Sequence, residues 1–305
     1  MLGFAQEIAA RATLRLFARI VPPERVTTEE LLDEHPELSE VVTEDVDVAG
    51  PHGSVPVRLY RRRSVPPRVG FVWVHGGAFI FGDLDFPEAH WVSLALAARG
   101  ISVASVDYRK ARGKTRFPAM SDDVLAAWNW VSQHPERLGV EAQNLHLGGA
   151  SAGANLSTGV AKRLRNSADA SPASLVLAYP LAHYALPTLS AELQEALTRN
   201  PPPFRFTPGV VAAINLNWAG RARSQDPIAF PALGSLDAMP PTLILNAESD
   251  ELRSSGEDLG RLLSDAGSEV VVETAPATFH GFLANPALDA ATTGLDRITR
   301  WLDAR

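Results

Sequence analysis

A chain of 305 residues, 46% hydrophobic, with 22 glycines and 23 prolines, has the composition of a globular protein and excludes collagenous, coiled-coil and disordered classes. A net charge of −7, from 28 basic and 35 acidic residues with no basic run longer than Arg61-Arg62-Arg63, argues against nucleic acid as a partner. The chain has no cysteine, so disulfides, thiolate metal sites and a cysteine nucleophile are excluded.

From the N-terminus, Phe4, Ile8, Ala12 and Leu16 recur at helical spacing, and Glu7, Arg11, Arg15 and Arg19 interrupt them in every turn. A membrane span needs roughly 20 apolar residues, and a secretory core needs an unbroken apolar run. An amphipathic helix docked on the protein's own body is expected instead, and with it no membrane span and a cytoplasmic location. Breaks at Pro22-Pro23 and His35-Pro36 divide residues 1–40.

Short β-rich runs follow at Val41–Val48, Val55–Tyr60, Gly70–Val74, Ile101–Val106, Asn144–Leu147, Ser174–Ala178, Thr242–Leu245 and Glu269–Glu273. Between the later ones lie helical patterns: Val124, Trp128 and Val131 share a face, as do Leu259, Leu262, Leu263 and Ala266, and Leu288, Ala291, Leu295, Ile298 and Leu302. Strands alternating with helices predict a mostly parallel sheet covered on both faces, here of about eight strands with an antiparallel start, since the first two runs lie too close for a helical crossover. Residues 181–230 break the alternation with Asn200-Pro201-Pro202-Pro203 and a helix near Pro208–Trp218. A connection this long is usually functional. The expected organisation is a catalytic body of residues 41–180 and 231–305, covered by a helical cap made from residues 1–40 and the insertion 181–230.

The strongest chemical signal is Gly149-Ala150-Ser151-Ala152-Gly153, between the strand ending at Leu147 and the helical run Ala154–Leu164. A serine in a tight strand-to-helix turn needs small flanking residues, and the turn exposes its hydroxyl beside a free backbone N–H, that of Ala152. The second signal is Val74-His75-Gly76-Gly77-Ala78-Phe79, where small residues after a strand can aim consecutive amides at a developing oxyanion. The expected donors are Gly77, Ala78 and Ala152, with Gly76 as the alternative to Ala78. His75 is read as a brace for that loop. A serine nucleophile needs a base, and the base an orienting carboxylate. Of the two histidines after Ser151, His183 opens the insertion, whereas His280 follows the last strand. The carboxylate belongs after Thr242–Leu245, where Asp250 is chosen and Glu248 is the rival.

These motifs, in this order over about residues 70–305, resemble the hormone-sensitive-lipase family of α/β-hydrolases, the group that includes the bacterial family IV carboxylesterases. The resemblance rests on His75-Gly76-Gly77-Ala78, Asp107-Tyr108-Arg109, Phe117-Pro118-Ala119 followed by Asp122-Asp123, Gly149–Ala154, Asp250-Glu251-Leu252-Arg253 and His280-Gly281-Phe282. It implies an α/β-hydrolase fold with a helical cap and a triad of Ser151, Asp250 and His280. The chain departs from the family pattern at Ala78 and Ala154, where glycines are usual, at Ala150, where an acid is usual, and at Lys110-Ala111-Arg112-Gly113, where Ala-Pro-Glu is expected.

The expected function is hydrolysis of short-chain carboxylic esters through an acyl-enzyme, without metal or cofactor. The alternatives are hydrolysis of an amide, lactone or acetylated natural product, and a non-catalytic ligand-binding homologue, such as the plant gibberellin receptors that lack the triad histidine. Phe17, Phe204, Phe206, Ile214 and Trp218 are expected to line the substrate pocket. A small-molecule ester is the expected partner, and a homodimer is left open.

Overall fold

The computed structural model describes residues 25–165 and 171–305, so the helix expected before Ile20 and the pocket residue Phe17 lie outside the described residues. All eight expected strands are present as one sheet: β1 (Val41–Gly50), β2 (Gly53–Arg62), β3 (Val69–Val74), β4 (Ile101–Val106), β5 (Leu145–Ala150), β6 (Leu175–Ala178), β7 (Thr242–Ser249) and β8 (Val270–Phe279). Their order is β1-β2-β4-β3-β5-β6-β7-β8. The β1–β2 hairpin runs in register from Val41 opposite Arg62 to Gly50 opposite Gly53, and β2 is also antiparallel to β4. Every later pairing is parallel. This is the α/β-hydrolase architecture.

The side-chain pattern explains the layers. Strands β3 to β6 are buried at every position, as strands with helices on both faces must be. Alternation divides them: Val72 and Val74 join one core and Phe71 and Trp73 the other. The first core is covered by α3 (Ala119–Gln133), α4 (Ala152–Leu164) and α7 (Arg253–Asp265), through Trp128, Leu156 and Leu259 among others. The second is covered by α2 (Pro87–Ala98) and α8 (Asp289–Asp303), through Trp91, Leu295 and Trp301. Each large side chain buried this way contributes about 1.5–3 kcal/mol. Leu288, expected on the buried stripe of α8, instead precedes the helix and is 40% exposed.

Before the sheet, α1 (Thr28–Leu32) starts at a capping box in which Thr27 and Glu30 bond each other's backbone N–H. This segment is held to α2 by the Thr28 hydroxyl on His90 and by His35 against Trp91. The insertion carries α5 (Ala191–Arg199) and α6 (Pro208–Trp218). Its two ends meet where the Ala232 amide donates to the Ala182 carbonyl. One side chain, Asn155 on α4, donates to both Leu181 and Ala229 carbonyls at 2.7 and 3.0 Å, tying both ends to the helix behind Ser151. Among the described residues no helix is long and apolar enough to cross a membrane.

Candidate active site

Ser151 stands between β5 and α4 with φ 52° and ψ −113°, a conformation that L-residues rarely adopt. Such strain costs of order 1–3 kcal/mol and must be held by its surroundings. Here the Ser151 amide donates to the Ala178 carbonyl on the neighbouring strand. The flanking glycines are needed for space: a Cβ on Gly149 would stand 2.5 Å from the Val74 carbonyl oxygen, and one on Gly153 would collide with the Val74 and His75 carbonyls.

Two strands outrun their expected ends to complete the site. β7 continues to Ser249 and β8 to Phe279, which places Asp250 and His280 directly at strand ends. His280 Nε2 lies 3.0 Å from Ser151 Oγ, and Nδ1 lies 2.6 Å from Asp250 Oδ2. The second bond requires a proton on Nδ1, which leaves Nε2 free to accept one. Asp250 is buried, and its other oxygen accepts the Leu252 amide. Burial pulls the His280 pKa down, but the charge and hydrogen bond of Asp250, with Glu88 and Glu251 adding, bring it above the ordinary imidazole value. Glu248 is occupied elsewhere, with Arg199 and the Ala277 amide. His183 bonds Ser255 and Asp258, but Ser255 is fully buried and also accepts the Ala182 amide, so this second Ser–His–Asp cluster fastens the insertion to α7.

The loop after β3 brings Gly77, Ala78 and Phe79 into left-handed backbone, with φ of 101°, 51° and 64°. The amides of Gly77, Ala78 and Ala152 donate to no acceptor among the described residues. Gly76 differs, and the alternative that assigned it to the oxyanion is corrected: its amide donates to Glu88 Oε2 at 2.6 Å. The Gly76 carbonyl accepts from the Tyr108 hydroxyl at 2.8 Å and from His75 Nδ1 at 2.7 Å. His75 is fully buried and stacked on Tyr108, with the Lys110 ammonium at its Nε2. Burial and the Lys110 charge hold it well below the ordinary pKa, so it is a neutral brace. Lys110, in the departing segment after Asp-Tyr-Arg, is itself anchored by Asp107 at 2.7 Å. The Glu88 contact has no sign in the sequence, because a lone acid at the start of an apolar helix carries no pattern.

A cavity of about 600 Å³ opens on Ser151, His280, Gly77 and Ala78, and Phe204 and Phe206 of the insertion form part of its wall. The Phe206 ring lies 4.4 Å from that of His280. Its backbone amide donates to Glu251, which also pairs with Arg205. Ile214 and Trp218 are not in the wall. Both are buried in the core, where Trp218 stacks on Phe79 at 4.0 Å and meets Phe117 edge-on. They join the insertion to the body instead of facing the cavity.

Spare amides beside a serine hydroxyl within reach of an imidazole suit acyl transfer, and the sheet beneath them defines the class as α/β-hydrolase. A sequence profile described as alpha/beta hydrolase fold matches residues 71–284. Ethyl acetate hydrolase of Pseudomonas putida is 34% identical over 75% of this chain and 72% of its own length. The solved Pyrobaculum calidifontis esterase is 26% identical, with a TM-score of 0.77 over 100% of this chain and 93% of that one. Brefeldin A esterase, described as a bacterial homologue of human hormone-sensitive lipase, is 25% identical, with a TM-score of 0.78 over 98% of this chain and 85% of that one. The chain belongs to the hormone-sensitive-lipase family of α/β-hydrolases. It is a carboxylic ester hydrolase.

Proposed function

We propose that the protein hydrolyses small, short-chain carboxylic esters that carry no negative charge, with Ser151 as nucleophile, His280 as general base and Asp250 as the group that orients it. The observation that carries this reading is the unbroken chain of hydrogen bonds from Ser151 Oγ through His280 to Asp250, at 3.0 and 2.6 Å. His280 takes the serine proton as Oγ attacks the ester carbonyl. The oxyanion accepts from Gly77, Ala78 and Ala152. Collapse expels the alcohol, which receives the proton from His280, and water then cleaves the acyl-enzyme by the same route. Asp250 keeps the imidazole in the productive tautomer and stabilises the imidazolium.

Residues 181–230, with the N-terminal segment up to residue 40, form the cap in this reading. Short chains are favoured because Phe206 packs on His280 with Phe204 behind it in the cavity wall, and because Ala78 adds a methyl group where a glycine would leave space. Anionic substrates are disfavoured because the described wall contains the Glu88 carboxylate and no lysine or arginine. The relative from Pseudomonas putida is named for a small ester of this kind. Measuring kcat/KM on p-nitrophenyl esters from acetyl to hexadecanoyl tests the proposal, with the maximum expected between acetyl and hexanoyl. A maximum at decanoyl or beyond, or strong activation by an oil–water interface, would indicate a lipase with an open cleft.

A further inference from the structure

Glu88 is a carboxylate beside the reacting groups that no step above uses. It is only 4% exposed, and both of its oxygens are engaged: Oε2 accepts the Gly76 amide and Oε1 accepts the Tyr179 hydroxyl, each at 2.6 Å. Burial raises the Glu88 pKa, while the Tyr179 hydroxyl, the nearby His280 and the Gly76 amide oppose that and favour the ionised form. The backbone of Glu88 is itself fixed, because its carbonyl accepts from Trp73 Nε1 on β3 at 2.7 Å. The carboxylate therefore projects from a rigid origin.

Each partner leads to a different part of the reaction. The Gly76 carbonyl is held by Tyr108 and His75, and in a planar peptide the N–H of Gly77 points opposite that carbonyl. With its amide on Glu88 as well, Gly76 is pinned on both sides, which sets the Gly77 N–H, and the Ala78 N–H follows through the Gly77 carbonyl, which accepts the Ile80 and Phe81 amides. Tyr179, with φ of 36° and its amide on the Leu245 carbonyl, presents its ring to His280 at 4.8 Å in an edge-on contact. We infer that Glu88 is a positioning residue of the reaction, whose single carboxylate holds the amides of Gly77 and Ala78 in register with His280 by bonding Gly76 and Tyr179 at once.

This inference rests on the reading of Ser151 as nucleophile and His280 as base. It is tested with E88A, E88Q and Y179F, by kcat and KM on p-nitrophenyl acetate, the pH profile of kcat/KM, and titration of Ser151 with a fluorophosphonate. E88A should lose about 10- to 100-fold in kcat with KM changed less than about twofold, the scale of a misplaced catalytic group. In E88Q the amide oxygen can accept from Gly76 while its NH₂ donates to Tyr179, so kcat should return to within about fivefold of wild type. Its acid limb should move to lower pH, because the groups facing His280 would then be Asp250, Glu251 and neutral Tyr179 without the Glu88 charge. Y179F, which leaves the Gly76 bond intact, should lose about two- to fivefold. Wild-type kcat in E88A, or equal loss in E88A and E88Q with an unmoved acid limb, would overturn the inference. If E88A does not fold, wild-type kcat in Y179F together with an unmoved limb in E88Q overturns it equally. Wild-type protein that neither labels at Ser151 nor cleaves the ester overturns the reading of the site itself, and this inference with it.

Discussion

The loop His75–Ala78 and the insertion 181–230 meet at one cavity, yet different forces hold them there. The loop is fixed by short directional bonds between buried groups: Gly76 alone is bonded to Glu88, Tyr108 and His75. The insertion is hydrogen-bonded at its base, through Asn155 and Ser255, and tied to the strand-end loop by Arg199 on Glu248 and Arg205 on Glu251, but over the cavity it presents aromatic contacts such as Phe79–Trp218 and Phe206–His280. Directional bonds in a low-dielectric interior place an amide to a few tenths of an ångström, as oxyanion stabilisation demands. Aromatic packing tolerates repacking at modest cost. Changes to the strand-end loops should therefore remove turnover, whereas changes to the insertion should alter stability or substrate preference.

The largest effect should come from Ser151→Ala, with a loss of about 10⁴–10⁶ in kcat and little change in Tm, because a small residue fits the elbow. Turnover near wild type in purified S151A protein would end the assignment. Asp250→Asn should cost about 10⁴-fold by releasing the wrong tautomer of His280. Glu248→Gln, which touches Arg199 and the Ala277 amide, should stay within about tenfold of wild type, and the reverse ranking would transfer the role to Glu248.

Trp218→Ala tests the opposite side of the comparison. Loss of this fully buried ring should destabilise the fold by about 3–5 kcal/mol, read as a drop in denaturant midpoint, while the order of preference among acyl chains is retained. A changed preference at unchanged stability would put Trp218 back in the pocket wall. For pH, kcat/KM should be flat above the His280 pKa and fall about tenfold per unit below it, since protonated imidazole cannot accept the serine proton. The sign follows from Asp250: the raised His280 pKa puts the half-maximum above the ordinary 6.5, and a half-maximum below 6.5 would contradict it. The smallest effect belongs to Phe206→Ala, which should improve longer acyl chains at about 0.8 kcal/mol for each additional CH₂ accommodated and leave acetyl esters nearly unchanged. An unaltered chain-length profile would place the acyl group on another wall.

Much of this architecture was legible in the sequence because it answers to local demands. Eight strands could be read from short β-rich runs, and the turn at Ser151 from small residues that a crowded backbone requires at Gly149 and Gly153. Chain order left His183 and His280 as bases, and position after the last strand singled out His280. The choice between Asp250 and Glu248 was open to sequence only as a preference, because both follow the same strand; β7 running on to Ser249 and the hydrogen bond to His280 separate them. Tertiary structure alone decided the rest. The helix Pro208–Trp218 is apolar nearly all round, so periodicity could not say which side meets the cavity and which meets Phe79. The role of the Gly76 amide likewise depended on Glu88, twelve residues away on another element, reaching back to it. Local backbone chemistry is written in neighbouring residues, whereas the partner of a buried polar group or an apolar face is set by which elements fold against it.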